Sequence, residues 1–296
     1  MLRLGTRASA LARAQAEQVR RELEARHPGL VVEPVYIRTS GDRASHGPLP
    51  AAGLKGLFVK EIEEALLGGT IDFGVHSMKD MPARLAAGLI IGAVPARAPA
   101  HDVLLAAGAT GIATLAPGAR VATGSVRRRA QLLARRRDVE VQPIRGNVDT
   151  RLRRWKAGDF DALVLAAAGL ARLGIDEPDA RPLSPEEFVP AVGQGALALE
   201  CRADDAATRH LLAAVEDADA AVAVAAERAF LAALGGDCNT PIAAHARVAD
   251  GRVVLRGLVT DVDGRQCLED ADDAPVADAE RLGAALAQRL LAAGAH

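Results

Sequence analysis

The stretch Asp72-Phe73-Gly74-Val75-His76-Ser77-Met78-Lys79-Asp80-Met81-Pro82 sets an imidazole, a hydroxyl, an ammonium and a carboxylate in quick succession. Such a set of ionisable and hydroxyl groups is the kind that carries acid–base chemistry. Arginines recur in Ser125-Val126-Arg127-Arg128-Arg129, in Arg145-Gly146-Asn147-Val148-Asp149-Thr150-Arg151 and at Arg172, with Arg7 and Ser9 near the amino end. Their planar forks grip carboxylates and phosphates in a bidentate way. A third feature is the turn Gly235-Gly236-Asp237-Cys238-Asn239-Thr240-Pro241, which carries a thiol outside the regular elements. Cys201, inside an apolar run, reads instead as an inert core residue.

The elements that must position these groups follow from patterning. Ile71, Phe73 and Val75 alternate as a strand, and Met81-Pro82 prevents an immediate helix. His76, Ser77, Lys79 and Asp80 are therefore expected in a turn at the strand's carboxyl edge, where open α/β sheets bind ligands. Leu2 to Leu4 and Val31 to Thr39 read as strands around a helix capped by Ser9, whose amino end with Arg7 offers an anion site. The glycine- and proline-rich loop from Ser40 to Gly56 precedes a helix from Leu57 to Leu67, making Lys55 and Lys60 lid candidates. After the strand Leu89 to Val94, the Pro95 to Pro99 region reads as a crossing. A second set follows: strands Val103 to Ala106, Arg120 to Thr123, Val139 to Ile144 and Ala162 to Ala166, with helices from Val126, from Val148 to Lys156, and through Arg172. Three arginine-bearing junctions would then converge on one sheet edge. Pro190 to Ala196 reads as a return crossing into the strand Leu197 to Cys201. From Asp217 the pattern changes to a helix from Ala220 to Leu234, strands Ile242 to Val248 and Arg252 to Thr260 joined by the hairpin dipeptide Asp250-Gly251, and a helix from Leu282 to Leu291.

This alternation predicts an α/β chain of two lobes with mixed, largely parallel sheets and helices on both faces, plus a small α+β carboxyl-terminal domain. The expected division is residues 1–95 with 196–215, then 96–195, then 216–296. Of 296 residues, 50% are hydrophobic and 25% charged, the composition of an ordinary globular protein. A net charge of -2 and few aromatic residues argue against a nucleic-acid partner. Three scattered cysteines predict neither a disulfide framework nor a metal site. No apolar run reaches the roughly 20 residues that span a bilayer, and the amino terminus lacks signal-peptide features, so a cytoplasmic monomer with no membrane partner is expected.

Four stretches carry a resemblance that runs from end to end of the chain: Gly56-Leu57-Phe58-Val59-Lys60-Glu61, Val75 to Pro82, Arg145-Gly146-Asn147-Val148, and Pro190-Ala191-Val192-Gly193-Gln194-Gly195-Ala196. Together they resemble the porphobilinogen deaminase (hydroxymethylbilane synthase) family. The resemblance implies two lobes like periplasmic binding proteins and a third domain that holds a covalent dipyrromethane on Cys238. It implies a transferase that condenses four porphobilinogen molecules head to tail on that primer, releasing ammonia, and frees the linear tetrapyrrole by hydrolysis. It makes Asp80 the catalytic carboxylate. Arg7, Arg127, Arg128, Arg145, Arg151 and Arg172 become carboxylate ligands, with Ser9, Lys79 and Ser125 in support. Two positions depart from the family pattern: Asp237 stands where a glycine usually precedes the cysteine, and Gly124 where a second hydroxyl residue often precedes Ser125. A non-catalytic two-lobed anion-binding protein is the competing reading.

Overall fold

The computed structural model describes residues 1–41, 59–236 and 240–295. Lys55, most of the loop expected over Ser40 to Gly56, and Cys238 with Asp237 lie outside the described residues. The first lobe comprises β1 (Leu2–Arg7), α1 (Ala10–Arg26), β2 (Val32–Ile37), α2 (Lys60–Leu67), β3 (Phe73–Ser77), a 3-10 turn over Met78–Asp80, and β4 (Leu89–Ala93). The second comprises β5 (Asp102–Leu105), β6 (Arg120–Ala122), α3 (Val126–Arg135), β7 (Glu140–Gln142), α4 (Val148–Lys156), β8 (Ala162–Ala166), α5 (Ala167–Arg172) and β9 (Ala180–Leu183). The chain then returns through β10 (Leu197–Arg202) and α6 (Ala206–Ala213). The carboxyl-terminal part is α7 (Ala218–Leu234), β11 (Ile242–Ala249), β12 (Arg252–Thr260), β13 (Cys267–Pro275) and α8 (Ala279–Ala292).

The two lobes repeat one plan. Their sheets run β2-β1-β3-β10-β4 and β7-β6-β8-β5-β9. In each, neighbouring strands are parallel on one side and a single reversed strand, β10 or β5, separates the other two. Each reversed strand is the one the chain enters on crossing between lobes, so the crossings are built into both sheets. The third sheet, β11-β12-β13, is antiparallel. Its hairpin places Asp250 and Gly251 at φ 51° and 72°, as a two-residue turn with right-handed strand twist requires.

Each lobe's core follows the strand pattern. Leu4, Phe73, Val75, Leu197 and Leu199 pack against Val19 and Leu23 of α1, while Leu104, Val121 and Val164 pack with Leu132 of α3. The crossings meet at a buried carboxylate, Glu227 of α7. It accepts from Arg97 (2.7 and 3.1 Å) in the outgoing crossing, from Gly193 N (2.6 Å) in the returning one, and from Ala246 N (2.7 Å) of β11. One side chain thus ties both hinge segments to the carboxyl-terminal part.

Several expectations need correction. His76 and Ser77 belong to β3, and only Met78–Asp80 forms the turn, because β10 continues to pair with β3 as far as Ser77. Arg7 is the last residue of β1 rather than part of a following loop. The sequence reading omitted β9, α6 and β13. Pro182 obscures β9, which tolerates proline as an edge strand, and the acidic, exposed β13 lacks an alternating apolar face.

Candidate active site

Because β1 and β3 are parallel, Arg7, Ser9 and the Ser77–Asp80 segment share one edge of the first sheet. Ser9 caps α1, its Oγ accepting from Ala12 N at 3.3 Å. Ser77 Oγ accepts from Gln15 Nε2 of α1 at 2.8 Å, a contact with no signal in the sequence beyond Gln15's place one turn into the helix. Asp80 is half-buried at the end of the 3-10 turn. Among the described residues no donor bonds its carboxylate, which leaves it open to a ligand.

On the second lobe, β6, β7 and β8 are mutually aligned, so Ser125, Arg145 and the start of α5 share one edge, whereas Arg172, expected at the third junction, lies at the far end of that helix. Ser125 caps α3 through Arg128 N at 3.4 Å. The arginines here divide into two groups. Arg127 and Arg128 are buried and turned onto Asp102, with contacts of 2.7 and 2.8 Å. Arg127 also donates to Val189 O (2.6 Å), Arg128 to Val164 O (3.1 Å), and Gln194 of the return crossing donates to Asp102 at 2.8 Å. Burial works to raise the Asp102 pKa, but the two guanidinium charges outweigh it and hold the carboxyl well below its ordinary range. The sequence reading missed Asp102 and Gln194. An aspartate opening an apolar strand, Asp102-Val103-Leu104-Leu105, was the available signal, since a buried carboxylate demands cations.

Arg151 and Arg172 form the second group. Arg151 donates its Nε to Gly146 O (2.8 Å), and burial together with Arg128 pushes its pKa down to about 10. Arg172 lies at the end of α5 rather than at a strand junction. It reaches Gly195 O (2.8 Å) and Gln18 Oε1 of α1 (3.5 Å), bridging the lobes, and burial lowers its pKa. Arg145 stands exposed in the loop before α4. Gly124 approaches Ile144 O so closely that a Cβ would lie 2.6 Å from it, so a side chain here would force the two segments apart.

Lys79 links the two edges. It projects from the first lobe, half-buried in area, and its pKa is pushed down to about 8 by burial and by Arg128, then by Arg127, against the opposing pull of Asp80 and Asp102. Lys79 of the first lobe and the buried arginine pair of the second are therefore close enough for their charges to interact. Lys60, by contrast, is exposed on α2 and lies 3.8 Å from Glu64. Leu231 and Ile242, which flank the Cys238 turn in sequence, line one pocket together with Met78, Lys79 and Met81. The fold thus brings the neighbours of the thiol to the Asp80 turn. Cys201 is fully buried, and burial pushes its thiol up to about 11, as an inert core residue requires.

This donor set fits a polycarboxylate. Lys79, Arg151 and Arg172 have positive charges that burial disfavours and that no carboxylate among the described residues bonds, whereas the deepest pair is already neutralised by Asp102. An anionic ligand would supply the missing counter-charge.

The family model described as "Porphobilinogen deaminase, dipyromethane cofactor binding domain" matches residues 2–210, and the one described as "Porphobilinogen deaminase, C-terminal domain" matches residues 221–292. Curated relatives named porphobilinogen deaminase include that of Syntrophotalea carbinolica, 52% identical over 99% of this chain and 93% of its own, and that of Trichlorobacter lovleyi, 50% identical over 99% and 94%. The Geobacter sulfurreducens protein of the same name is 48% identical over 100% of this chain and 92% of its own.

Proposed function

Because the chain belongs to the porphobilinogen deaminase family, a family of tetrapyrrole-synthesis transferases, we propose that its cleft condenses four porphobilinogen molecules head to tail, with Asp80 as the catalytic carboxylate and Cys238 as the attachment point of the dipyrromethane. When bound, that cofactor would supply the free pyrrole carbon to which the first unit is joined, each later unit joining the pyrrole added before it. The observation that carries the reading is the meeting of an open carboxylate, Asp80, with a cleft of under-neutralised cations beside the flanks of the Cys238 turn.

Loss of ammonia leaves a cationic substrate, and a fixed carboxylate at the strand end stabilises that charge without reorganising. The same Asp80 oxygen accepts the proton released once the new carbon–carbon bond has formed. Every porphobilinogen unit adds an acetate and a propionate, so negative charge accumulates as the product grows. Lys79, Arg145, Arg151 and Arg172 neutralise it from the two lobes, with Arg7 and the Ser9 and Ser125 hydroxyls at the helix amino ends. Arg127 and Arg128 act partly through Asp102, which fixes where their remaining N–H groups point. Lys55 and Lys60 are assigned to the lid. The domains of this reading are residues 1–95 with 196–215, 96–195 and 216–296, and the protein works as a cytoplasmic monomer.

The test is the intact mass of the purified protein beside a Cys238→Ala variant. A mass excess equal to two linked pyrroles in the parent, absent from the variant, supports the assignment. The same excess in both would move the attachment point elsewhere.

A further inference from the structure

Behind the Asp80 turn the first lobe buries ionisable groups for which the reaction has no use. His76 on β3 folds back over Gly74, where a Cβ would come within 2.9 Å of its Nε2. That nitrogen lies 3.1 Å from Glu200 Oε2 on β10, and Glu200 is the residue that pairs with Gly74 across the sheet. The contact is off the line of a good hydrogen bond, and neither Glu200 oxygen has another donor among the described residues. Glu63 of α2 faces the same pair, and burial together with the Glu200 charge raises its pKa. Arg228 of α7 feels the Glu200 charge, yet its guanidinium is spent on Pro82 O (3.0 Å) and Ala83 O (3.1 Å). A fully buried carboxylate so poorly bonded contributes little to holding a fold, and apolar replacement of a buried ion pair is often neutral or stabilising. Such exceptions call for a functional explanation.

Their position supplies one. β1 pairs with β3 only as far as Gly74, so among the described strands His76 and Ser77 are held by β10 alone. Side chains then flank the strand end on both faces of the sheet: Gln15 bonds Ser77 at 2.8 Å from α1, and Glu200 lies 3.1 Å from His76 on the α2 side. Asp80 follows in the next turn. We propose that Glu200 and His76, backed by Glu63, are positioning residues that fix the end of β3 and so set the direction in which Asp80 enters the cleft. This rests on the assignment of Asp80 made above.

The test is the double variant His76→Leu/Glu200→Met, measured as holoprotein for primer mass, melting temperature, kcat and KM. The expected result is a protein that carries the primer, melts at or above the parent, keeps KM within about twofold and loses about tenfold or more in kcat. Glu200→Gln, which retains an acceptor for the imidazole, should keep more of kcat than Glu200→Met. Turnover within about twofold of the parent in the double variant would overturn the inference. So would failure to fold or a much lower melting temperature, which would make the cluster part of the scaffold. Full turnover in Asp80→Asn would instead overturn the underlying assignment, whatever the double variant does.

Discussion

Asp80 and Asp102 stand at the facing edges of the two lobes and are opposite in kind. Asp102 is fully buried, receives two guanidinium groups and a side-chain amide, and is held ionised far below its ordinary range. Asp80 is half-buried, and no donor among the described residues bonds it. A carboxylate held so far below its ordinary range by two guanidinium groups is a poor acceptor for a substrate proton, so its work is to hold the arginine junction against the return crossing. One left open has little structural work and can act on a cation. On the proposed mechanism the contrast separates scaffold from chemistry.

Removing the saturated carboxylate should have the largest effect on the fold. Asp102→Asn leaves two buried guanidinium groups without a counter-charge, and breaking such a cluster costs about 3–5 kcal/mol. Thermal unfolding should therefore show a large drop in melting temperature. The Asp102 contribution is present above the unfolded carboxyl pKa and disappears as pH falls below it, so the variant and the parent should converge in strongly acidic solution. A variant as stable as the parent at pH 7 would break the contrast.

Lys79 gives a smaller and more specific effect. Its folded pKa of about 8 lies below the ordinary lysine value of 10.5, so between those limits the unfolded chain holds more protons and the folded protein gains stability as pH rises. Lys79→Met should lack that rise. In the parent, KM should climb as Lys79 loses its charge above about pH 8, whereas in the variant KM should be higher at pH 7, by roughly fivefold, and nearly flat through that range. A parent KM independent of pH from 7 to 9 would remove Lys79 from carboxylate binding.

Much of this arrangement was legible in the sequence because it depends on local pattern. Ser9 read as a helix cap from its place before apolar repeats, Ser125 as the residue at a strand-to-helix junction, the Asp250-Gly251 hairpin from its dipeptide, and the α4 boundaries from Val148 to Lys156. The parallel strands behind the arginine junctions followed from strand–helix alternation. What was not legible depends on partners distant in sequence. Nothing near Arg127 and Arg128 shows that Asp102 will claim both, and nothing near Ser77 announces Gln15, whose separation of 62 residues is closed only by the β1–β3 pairing. Arg172 was placed at a junction by its proximity to β8, but the helix carries it onward to Gly195 and Gln18.

The central claim is that the open carboxylate performs the condensation and the closed one does not. The most direct test adds porphobilinogen to the Asp80→Asn holoprotein and follows intact mass over single turnovers beside the parent. The account predicts that the variant keeps its primer and its melting temperature, while added pyrrole units appear at least about a hundredfold more slowly. Units added at the parent's rate would contradict it and take Asp80 out of the mechanism.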